Sequence, residues 1–149
     1  MKVILQRSRQ ACVTVDGRVT GQIDYGLVAL VGIAEGDSEP VVRTLADKTA
    51  MLRIFADDNG KMNRSVIDVG GGVLAISQFT LLADCRKGRR PAFTGAAKPE
   101  IARAFYELYM DCLRGHGLTV QPGVFAADMQ VSLTNDGPVT IILDSSEWS

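Results

Sequence analysis

The sequence is poor in the residues on which most hydrolytic and metal-dependent sites rely. Its one histidine is His116, which stands between two glycines at the end of a predicted helix. A Ser-His-Asp or Cys-His arrangement needs a histidine beside its nucleophile, whereas His116 suits a solvent-facing charge at a helix terminus. No two strong ligands occur at a familiar metal-binding spacing. We therefore expect no metal, no cofactor and no histidine-based catalysis.

Cysteine is also scarce. Cys12, Cys85 and Cys112 are far apart in the chain and odd in number. This pattern argues against a disulfide framework and against a Cys-x-x-Cys metal or redox site. We expect the three cysteines to be small, buried hydrophobic residues.

The sequence has neither an excess of one charge nor a long apolar run. A net charge of −1 gives no general attraction to nucleic acid, so any RNA contact has to come from a local patch. No apolar run approaches the roughly 18 to 20 residues of a membrane-spanning helix. The first ten residues contain too short an apolar stretch for a signal peptide. These features predict a cytoplasmic protein.

What is present fits one globular domain over residues 1–149, of which 46% are hydrophobic. The apolar patterns predict the order β-β-β-α-β-α-β-β-β, with a hairpin turn at Asp16-Gly17. Helices are expected to begin near Pro40 and Pro99, since proline suits the first helical turn. We therefore predict an α+β fold, with a mostly antiparallel, barrel-like sheet and two main helices packed on it.

Polar residues interrupt the apolar stretch "GGGVLAISQFTLLAD", which we interpret as one strand. Alternation along that strand puts Ser77 and Phe79 on one face and Gln78 and Thr80 on the other. Either these polar groups are hydrogen-bonded within the sheet, or they belong to a functional site. A buried Gln78 would be difficult to satisfy, because its amide has two donors and an acceptor with two lone pairs.

A second unusual stretch is "SLTNDGPVTIIL", in which two predicted strands are joined by a turn from Asn135 to Pro138. Proline directly after glycine removes a backbone donor where the second strand should begin pairing. Either this is a plain turn with a trans proline, or the bond between Gly137 and Pro138 has a function of its own.

Together, "SQFTL", "KGRRPAF" and "NDGPVT" resemble the motifs of the D-aminoacyl-tRNA deacylase family, and the resemblance spans nearly the whole chain. It implies a homodimer that hydrolyses the ester between a D-amino acid and the terminal adenosine of tRNA. It implies further that the Gly137-Pro138 peptide is cis and enters the partner subunit's active site. There its carbonyl groups would accept from the substrate's α-ammonium and exclude an L side chain. Glycyl-tRNA, which has no side chain to exclude, is then a second expected substrate.

The resemblance also assigns catalytic roles to Ser77, Gln78, Phe79 and Thr80. Backbone N–H groups around Phe79 and Thr80 would stabilise the oxyanion, and Ser77 and Gln78 would shape the floor beneath the ester. Thr80 is a candidate nucleophile without an evident base. The alternative is water activated with help from the terminal ribose 2′-hydroxyl, with the protein supplying orientation.

The remaining assignments concern the pocket and the tRNA. The expected pocket residues are Arg7, Phe125, Ala126 and Met129. The resemblance gives Arg7 the role of orienting the Gly-Pro unit, whereas a core role for the other three would look the same in the sequence. The densest basic run is either a solvated loop or a phosphate contact near the acceptor stem, and we predict the latter for its members Arg86, Lys87, Arg89 and Arg90.

Two other functions remain open. A non-catalytic nucleic-acid-binding relative could keep the fold, but it would be expected to have lost a signature motif or gained an interaction tail. An editing domain that works in trans for one synthetase would prefer one tRNA. Both motifs are intact here, and only "DSSEWS" follows the last predicted strand, which favours the deacylase.

Overall fold

A mixed five-stranded sheet carries two helices in the computed structural model, which describes residues 1–148. The strands are β1 (Lys2–Val15), β2 (Arg18–Gly32), β3 (Phe55–Ala56), β4 (Met62–Arg64), β5 (Gly72–Ser77), β6 (Thr119–Pro122) and β7 (Gln130–Asp144). The helices are α1 (Glu39–Met51) and α2 (Pro99–Gly115), with 3-10 helices at Phe79–Leu82 and Ser145–Glu147. Within this part of the chain, no helix is both long and apolar enough to cross a membrane.

The strand order of the main sheet is β6-β5-β2-β1-β7, while β3 and β4 form a separate two-stranded ribbon. β1 pairs antiparallel with β2 and with β7, whereas β5 runs parallel to both β2 and β6. The α+β class is confirmed. The long pairings of β1 are antiparallel, as predicted, but the barrel-like closure is wrong. The sheet is mixed because α1 and α2 lie in crossover connections, which make β5 parallel to β2 and β6 parallel to β5. Over residues 1–148 the sheet is open, with β6 and β7 at its edges.

The predicted hairpin at Asp16-Gly17 is confirmed. Both residues have positive φ, 50° and 77°, as a two-residue turn between twisted strands requires. The strands on either side are longer than predicted, since pairing runs from Lys2 opposite Gly32 to Val15 opposite Arg18. β1 pairs with β2 along one edge and with β7 along the other.

The main core lies between one face of the sheet and the two helices. The face of α1 that packs on the sheet is buried at Val42, Leu45, Ala46 and Thr49. Tyr109 of α2 is fully buried and donates to the Thr49 hydroxyl at 2.9 Å. Burial raises the pKa of Tyr109, because the phenolate would lose its hydration.

A smaller apolar cluster covers the other face of the sheet. Val28, Leu74 and Ile76 alternate along their strands with residues of the main core, so their side chains point away from the helices. Met129 and Leu133 pack against this cluster. Both faces of β5 are therefore apolar up to the point where the strand ends.

Two expectations for scarce residues need correction. Cys85 is exposed, and Cys12 and Cys112 are only half-buried, so the cysteines are not uniformly core residues. Cys85 lies in the loop after the 3-10 helix, Cys12 on β1 and Cys112 on α2. His116 caps the carboxyl end of α2, as predicted, but its Nε2 atom lies 2.8 Å from Asp47 Oδ1 on α1. It is therefore partly covered by the helix pair.

Candidate active site

The motif "SQFTL" marks the end of β5. The predicted continuous strand is wrong, since β5 stops at Ser77 and a 3-10 helix begins at Phe79. Val31 opposite Ser77 is the last pair between β2 and β5, and Gln78 N then donates to Val31 O at 2.8 Å. Beyond this bond the chain turns across Gly32, where a Cβ would lie 2.6 Å from the Leu82 side chain. Pairing ends there because β2 itself ends at Gly32.

This turn brings the motif to the surface. Phe79 is 56% exposed and Thr80 is exposed, while Ser77 and Gln78 are half-buried. The expected alternation of faces is therefore lost. Gln78 Nε2 donates to Thr80 Oγ1, and the rest of this half-buried amide stays accessible to water. Among residues 1–148, this amide is the hydrogen-bond partner of the Thr80 hydroxyl, and an amide cannot act as a base.

Two cavities flank Phe79. The smaller, of about 230 Å³, is lined by Ser77, Gln78 and Phe79 together with Ala126 and Met129. The larger, of about 420 Å³, is mainly apolar. Its lining includes Ile33, Ser77, Phe79, Phe93, Phe125 and Ala126. The structure thus brings most of the predicted catalytic residues together with three of the four predicted pocket residues.

The segment after β6 forms the far wall of these cavities. Gly123 N donates to Ala75 O at 3.0 Å and lies 3.2 Å from Tyr106 OH, whose own proton is donated to Ala75 O. Ala126 has φ of 64°, a left-handed conformation that is uncommon for a residue with a Cβ. Tyr106 therefore anchors the wall to β5. Sequence reasoning did not single it out, because an apolar helix face looks the same with or without this contact.

Phe93 is a second residue that the sequence reasoning missed. Its ring meets that of Phe79 edge-to-face, with centroids 5.0 Å apart. Phe93 is the last residue of the "KGRRPAF" motif, and an aromatic side chain in that motif was the one feature of the sequence that could have indicated its role. The pair closes one side of the larger cavity.

The motif "NDGPVT" is not a hairpin turn. β7 continues through it, and both halves pair with β1, from Gln130 opposite Thr14 to Asp144 opposite Lys2. The predicted two-strand turn is wrong because β1 is long enough to hold both segments in one line. Four residues of β7, Asp136 to Val139, stand opposite Arg7 as a bulge. The Gly137-Pro138 peptide is cis, the geometry that the resemblance implies.

Arg7 holds this bulge from the side of β1. Its Nε donates to Asp136 O and its Nη1 to Ile54 O, both at 2.7 Å. Gly137 has φ of 145°, and a Cβ there would lie 2.9 Å from Val139 N and 3.1 Å from Arg7 Nη2. Gly137 and Pro138 are exposed, and neither they nor Arg7 line the two cavities beside Phe79.

Comparison with known proteins identifies the family. The family described as "D-Tyr-tRNA(Tyr) deacylase" matches residues 4–144. The chain belongs to this deacylase family. A relative from Rhodopirellula baltica named "D-aminoacyl-tRNA deacylase" is 68% identical and covers 97% of this chain and 99% of its own length. A relative of the same name from Thermus aquaticus is 57% identical over 99% of this chain and 97% of its own length.

A solved structure has the same fold under a different name. The "c-Myc DNA Unwinding Element Binding Protein" superposes with a TM-score of 0.91 at 39% identity, covering 97% of this chain and 99% of its own. A protein named for DNA binding therefore has the same fold as this chain.

In this deacylase-family chain, the basic run forms an exposed loop after the 3-10 helix. Asp84 and Ala92 close the loop with two backbone hydrogen bonds, of 2.7 and 3.0 Å. The Arg86 guanidinium bonds both carboxylate oxygens of Asp84 and lowers the pKa of that carboxyl to about 2. Lys87, Arg89 and Arg90 are exposed. The loop is thus positioned by one arginine and presents three further cations to solvent.

Proposed function

We propose that this chain hydrolyses the ester bond of D-aminoacyl-tRNA to free D-amino acid and tRNA, as one deacylase domain over residues 1–149. The observation that carries this proposal is the placing of Ser77, Gln78 and Phe79 between two cavities at the end of β5. The family match and the names of the close relatives support the reaction. A tRNA substrate also favours a cytoplasmic location.

The reaction needs little acid-base equipment from the protein. A water oxygen bonds to the ester carbonyl carbon, the bond from that carbon to the ribose oxygen breaks, and the ribose oxygen takes up a proton. The N–H groups of Phe79 and Thr80 begin the 3-10 helix, so they have no intrahelical acceptor and are suited to the oxyanion. We assign activation of the water to the ribose 2′-hydroxyl, because the Thr80 hydroxyl is bonded to the Gln78 amide and to no base within residues 1–148.

Rejection of L-aminoacyl-tRNA is assigned to Gly137 and Pro138 of a second copy of the chain. In one chain they are exposed and lie outside the cavities beside Phe79, so a homodimer is proposed to bring the bulge of one subunit to the cavities of the other. The position of β7 at the sheet edge supports this arrangement. Carbonyl oxygens at the bulge would accept from the α-ammonium and occupy the space of an L side chain. Glycyl-tRNA has no side chain to be excluded, so it would also be hydrolysed.

Binding of tRNA is assigned to the loop of Arg86, Lys87, Arg89 and Arg90, which carries the phosphate contacts of a protein whose net charge is −1. The last three side chains are the freer ones, since Arg86 is engaged by Asp84. Phosphate contacts of this kind position the acceptor end and do not read sequence. The deacylase would therefore act on several tRNAs, unlike an editing domain that serves one synthetase.

The decisive experiment compares deacylation of D-tyrosyl-tRNA and L-tyrosyl-tRNA by the purified protein, with glycyl-tRNA and a second tRNA species alongside. Rapid loss of the D ester with the L ester intact supports the whole proposal. Loss of both esters at similar rates would keep the hydrolase and reject the role of Gly137 and Pro138. A strong preference for one tRNA would favour the editing domain.

A non-catalytic nucleic-acid-binding function is the second candidate, and the DNA-binding name of the 39% identical structure favours it. The intact motifs argue against it. If neither ester is cleaved and the protein binds DNA with a salt-dependent affinity, this candidate replaces the deacylase.

A further inference from the structure

The side chain of Asn135 bridges the bulge that carries Gly137 and Pro138. Its Oδ1 accepts from Val139 N at 2.7 Å, and its Nδ2 donates to Thr140 Oγ1 at 3.0 Å and to Val139 O at 3.4 Å. The backbone N–H of Val139 can only donate, which fixes the orientation of the amide. One side chain thus bonds the two residues that follow Pro138.

The residues on either side of the exposed tip are held firmly. Asn135 is half-buried and Val139 is 7% exposed, whereas Gly137 and Pro138 are exposed. On the entry side, Arg7 Nε bonds the Asp136 carbonyl oxygen at 2.7 Å. The bulge is therefore held at its start by Arg7 and at its end by Asn135, with the tip free to reach another molecule.

We propose that Asn135 is a positioning residue for chiral discrimination: it fixes where the chain leaves the bulge and so fixes the direction of the carbonyl groups at Gly137 and Pro138. The inference rests on the proposed role of that pair in rejecting L esters. Asn135 touches neither substrate nor the reacting atoms, and it acts through Val139 and Thr140.

The contacts of Asn135 need both the carbonyl oxygen and the NH₂ group of its side-chain amide. The register between β1 and β7 skips from Ser8 opposite Asn135 to Gln6 opposite Thr140, so Val139 is not paired with a residue of β1 and its N–H is instead bonded by the Asn135 side chain. A carboxylate at position 135 keeps the acceptor for Val139 N but loses the donor and faces the Val139 carbonyl oxygen. An alanine loses both, and leaves the N–H of a buried residue unpaired.

The test uses Asn135→Ala and Asn135→Asp, measured as the ratio of kcat/KM for D-tyrosyl-tRNA to kcat/KM for L-tyrosyl-tRNA. Asn59→Ala is the matched control, because Asn59 is an exposed turn residue whose side chain makes no hydrogen bond among residues 1–148. We expect Asn135→Ala to lower the D-to-L ratio by about tenfold, the effect of losing one to two hydrogen bonds at the bulge. Asn135→Asp should have an intermediate ratio, and the control should match the wild type.

The ratio separates positioning from simple destabilisation, because a smaller folded fraction lowers both rates equally. An unchanged ratio in Asn135→Ala, with the wild type still rejecting L esters, overturns the inference and leaves the proposed function standing. A wild type that cleaves both esters alike overturns the proposed role of Gly137 and Pro138 instead. If Asn135→Ala does not fold, the test uses Asn135→Asp and Thr140→Val, which replaces the hydroxyl with a methyl group. A lowered D-to-L ratio in these variants supports the inference, and unchanged ratios in both overturn it.

Discussion

Arg7 and Asp136 are joined across β1 and β7 by a hydrogen bond of 2.7 Å from the Arg7 Nε to the Asp136 carbonyl oxygen. The same guanidinium donates through Nη1 to Ile54 O, just before β3. Its side chain is only 13% exposed. One half-buried guanidinium therefore ties the bulge of β7 to the segment that follows α1.

Replacing Arg7 with lysine keeps the positive charge but removes the planar guanidinium with its two donors in fixed directions. An ammonium on a flexible stem cannot reproduce two donors in fixed directions, so the Asp136 or the Ile54 carbonyl oxygen loses its partner. We expect the free energy of unfolding in urea to fall by about 1–3 kcal/mol, and the D-to-L rate ratio to fall with it. Arg18→Lys, at the exposed hairpin tip, is the control. A variant of wild-type stability and selectivity would show that the two guanidinium hydrogen bonds are dispensable.

Adding a methyl group at Gly137 should lower both the stability of the fold and the rate of D-ester cleavage. The new Cβ would lie 2.7 Å from Val139 Cγ2 and 2.9 Å from Val139 N, at a φ of 145° that disfavours side chains. We expect Gly137→Ala to cost roughly 1–3 kcal/mol, measured by urea unfolding, and to slow D-tyrosyl-tRNA cleavage by about a hundredfold through misplacement of the tip. Gly36→Ala is the comparison, since Gly36 also has positive φ but open space around it. Equal losses of unfolding free energy in the two variants would mean that the positive φ alone, and not the contact with Val139, makes the substitution costly.

The roles of Thr80 and the ribose can be separated by changing one at a time. Thr80→Ala should lower kcat by about tenfold or less, because the hydroxyl is bonded to the Gln78 amide and to no base in the described part of the chain. A 2′-deoxy terminal adenosine should slow the wild-type reaction by about a hundredfold or more, the usual size of a lost proton-transfer group. Single-turnover rates measure both. Equal rates with ribose and deoxyribose ends would exclude assistance from the RNA.

The exposed cations of the basic loop should govern the salt dependence of tRNA binding. Lys87→Ala or Arg89→Ala should each reduce the slope of log affinity against log salt concentration by about one, as expected for one lost phosphate contact. Binding of uncharged tRNA over a range of salt concentrations measures the slope. Arg18→Ala is the matched control. Slopes that do not differ from that control would remove this loop from the tRNA interface.

The contact between Asp84 and Arg86 should make the stability of the fold depend on pH in the acid range. Side-chain hydrogen bonds from Arg86 hold the Asp84 pKa at about 2, below its ordinary value of 3.8. A lowered folded-state pKa means that the stabilisation is complete above the unfolded pKa and is lost as the pH falls from about 4 towards 2. In Arg86→Gln, NMR titration should show the Asp84 pKa rising towards its ordinary value. A pKa that stays at about 2 would assign the effect to the backbone bond from Arg86 N.

The sequence by itself determined the features that depend on near neighbours in the chain. Proline in the first turn and apolar spacing located α1 and α2, and Asp16-Gly17 located the hairpin. The residue types of the two motifs were sufficient to indicate the family, which the match over residues 4–144 confirms. These signals work because helix starts and tight turns are set by the φ preferences of individual residues.

Only the tertiary structure decided where strands stop and which groups meet. β5 ends at Ser77 because its partner β2 ends at Gly32, and β7 runs through Gly137 and Pro138 because β1 pairs with both of its halves. The bonds from Arg7 and Asn135 to the bulge follow from that pairing. Such features depend on partners distant in the chain, and local residue patterns contain no record of register or strand order.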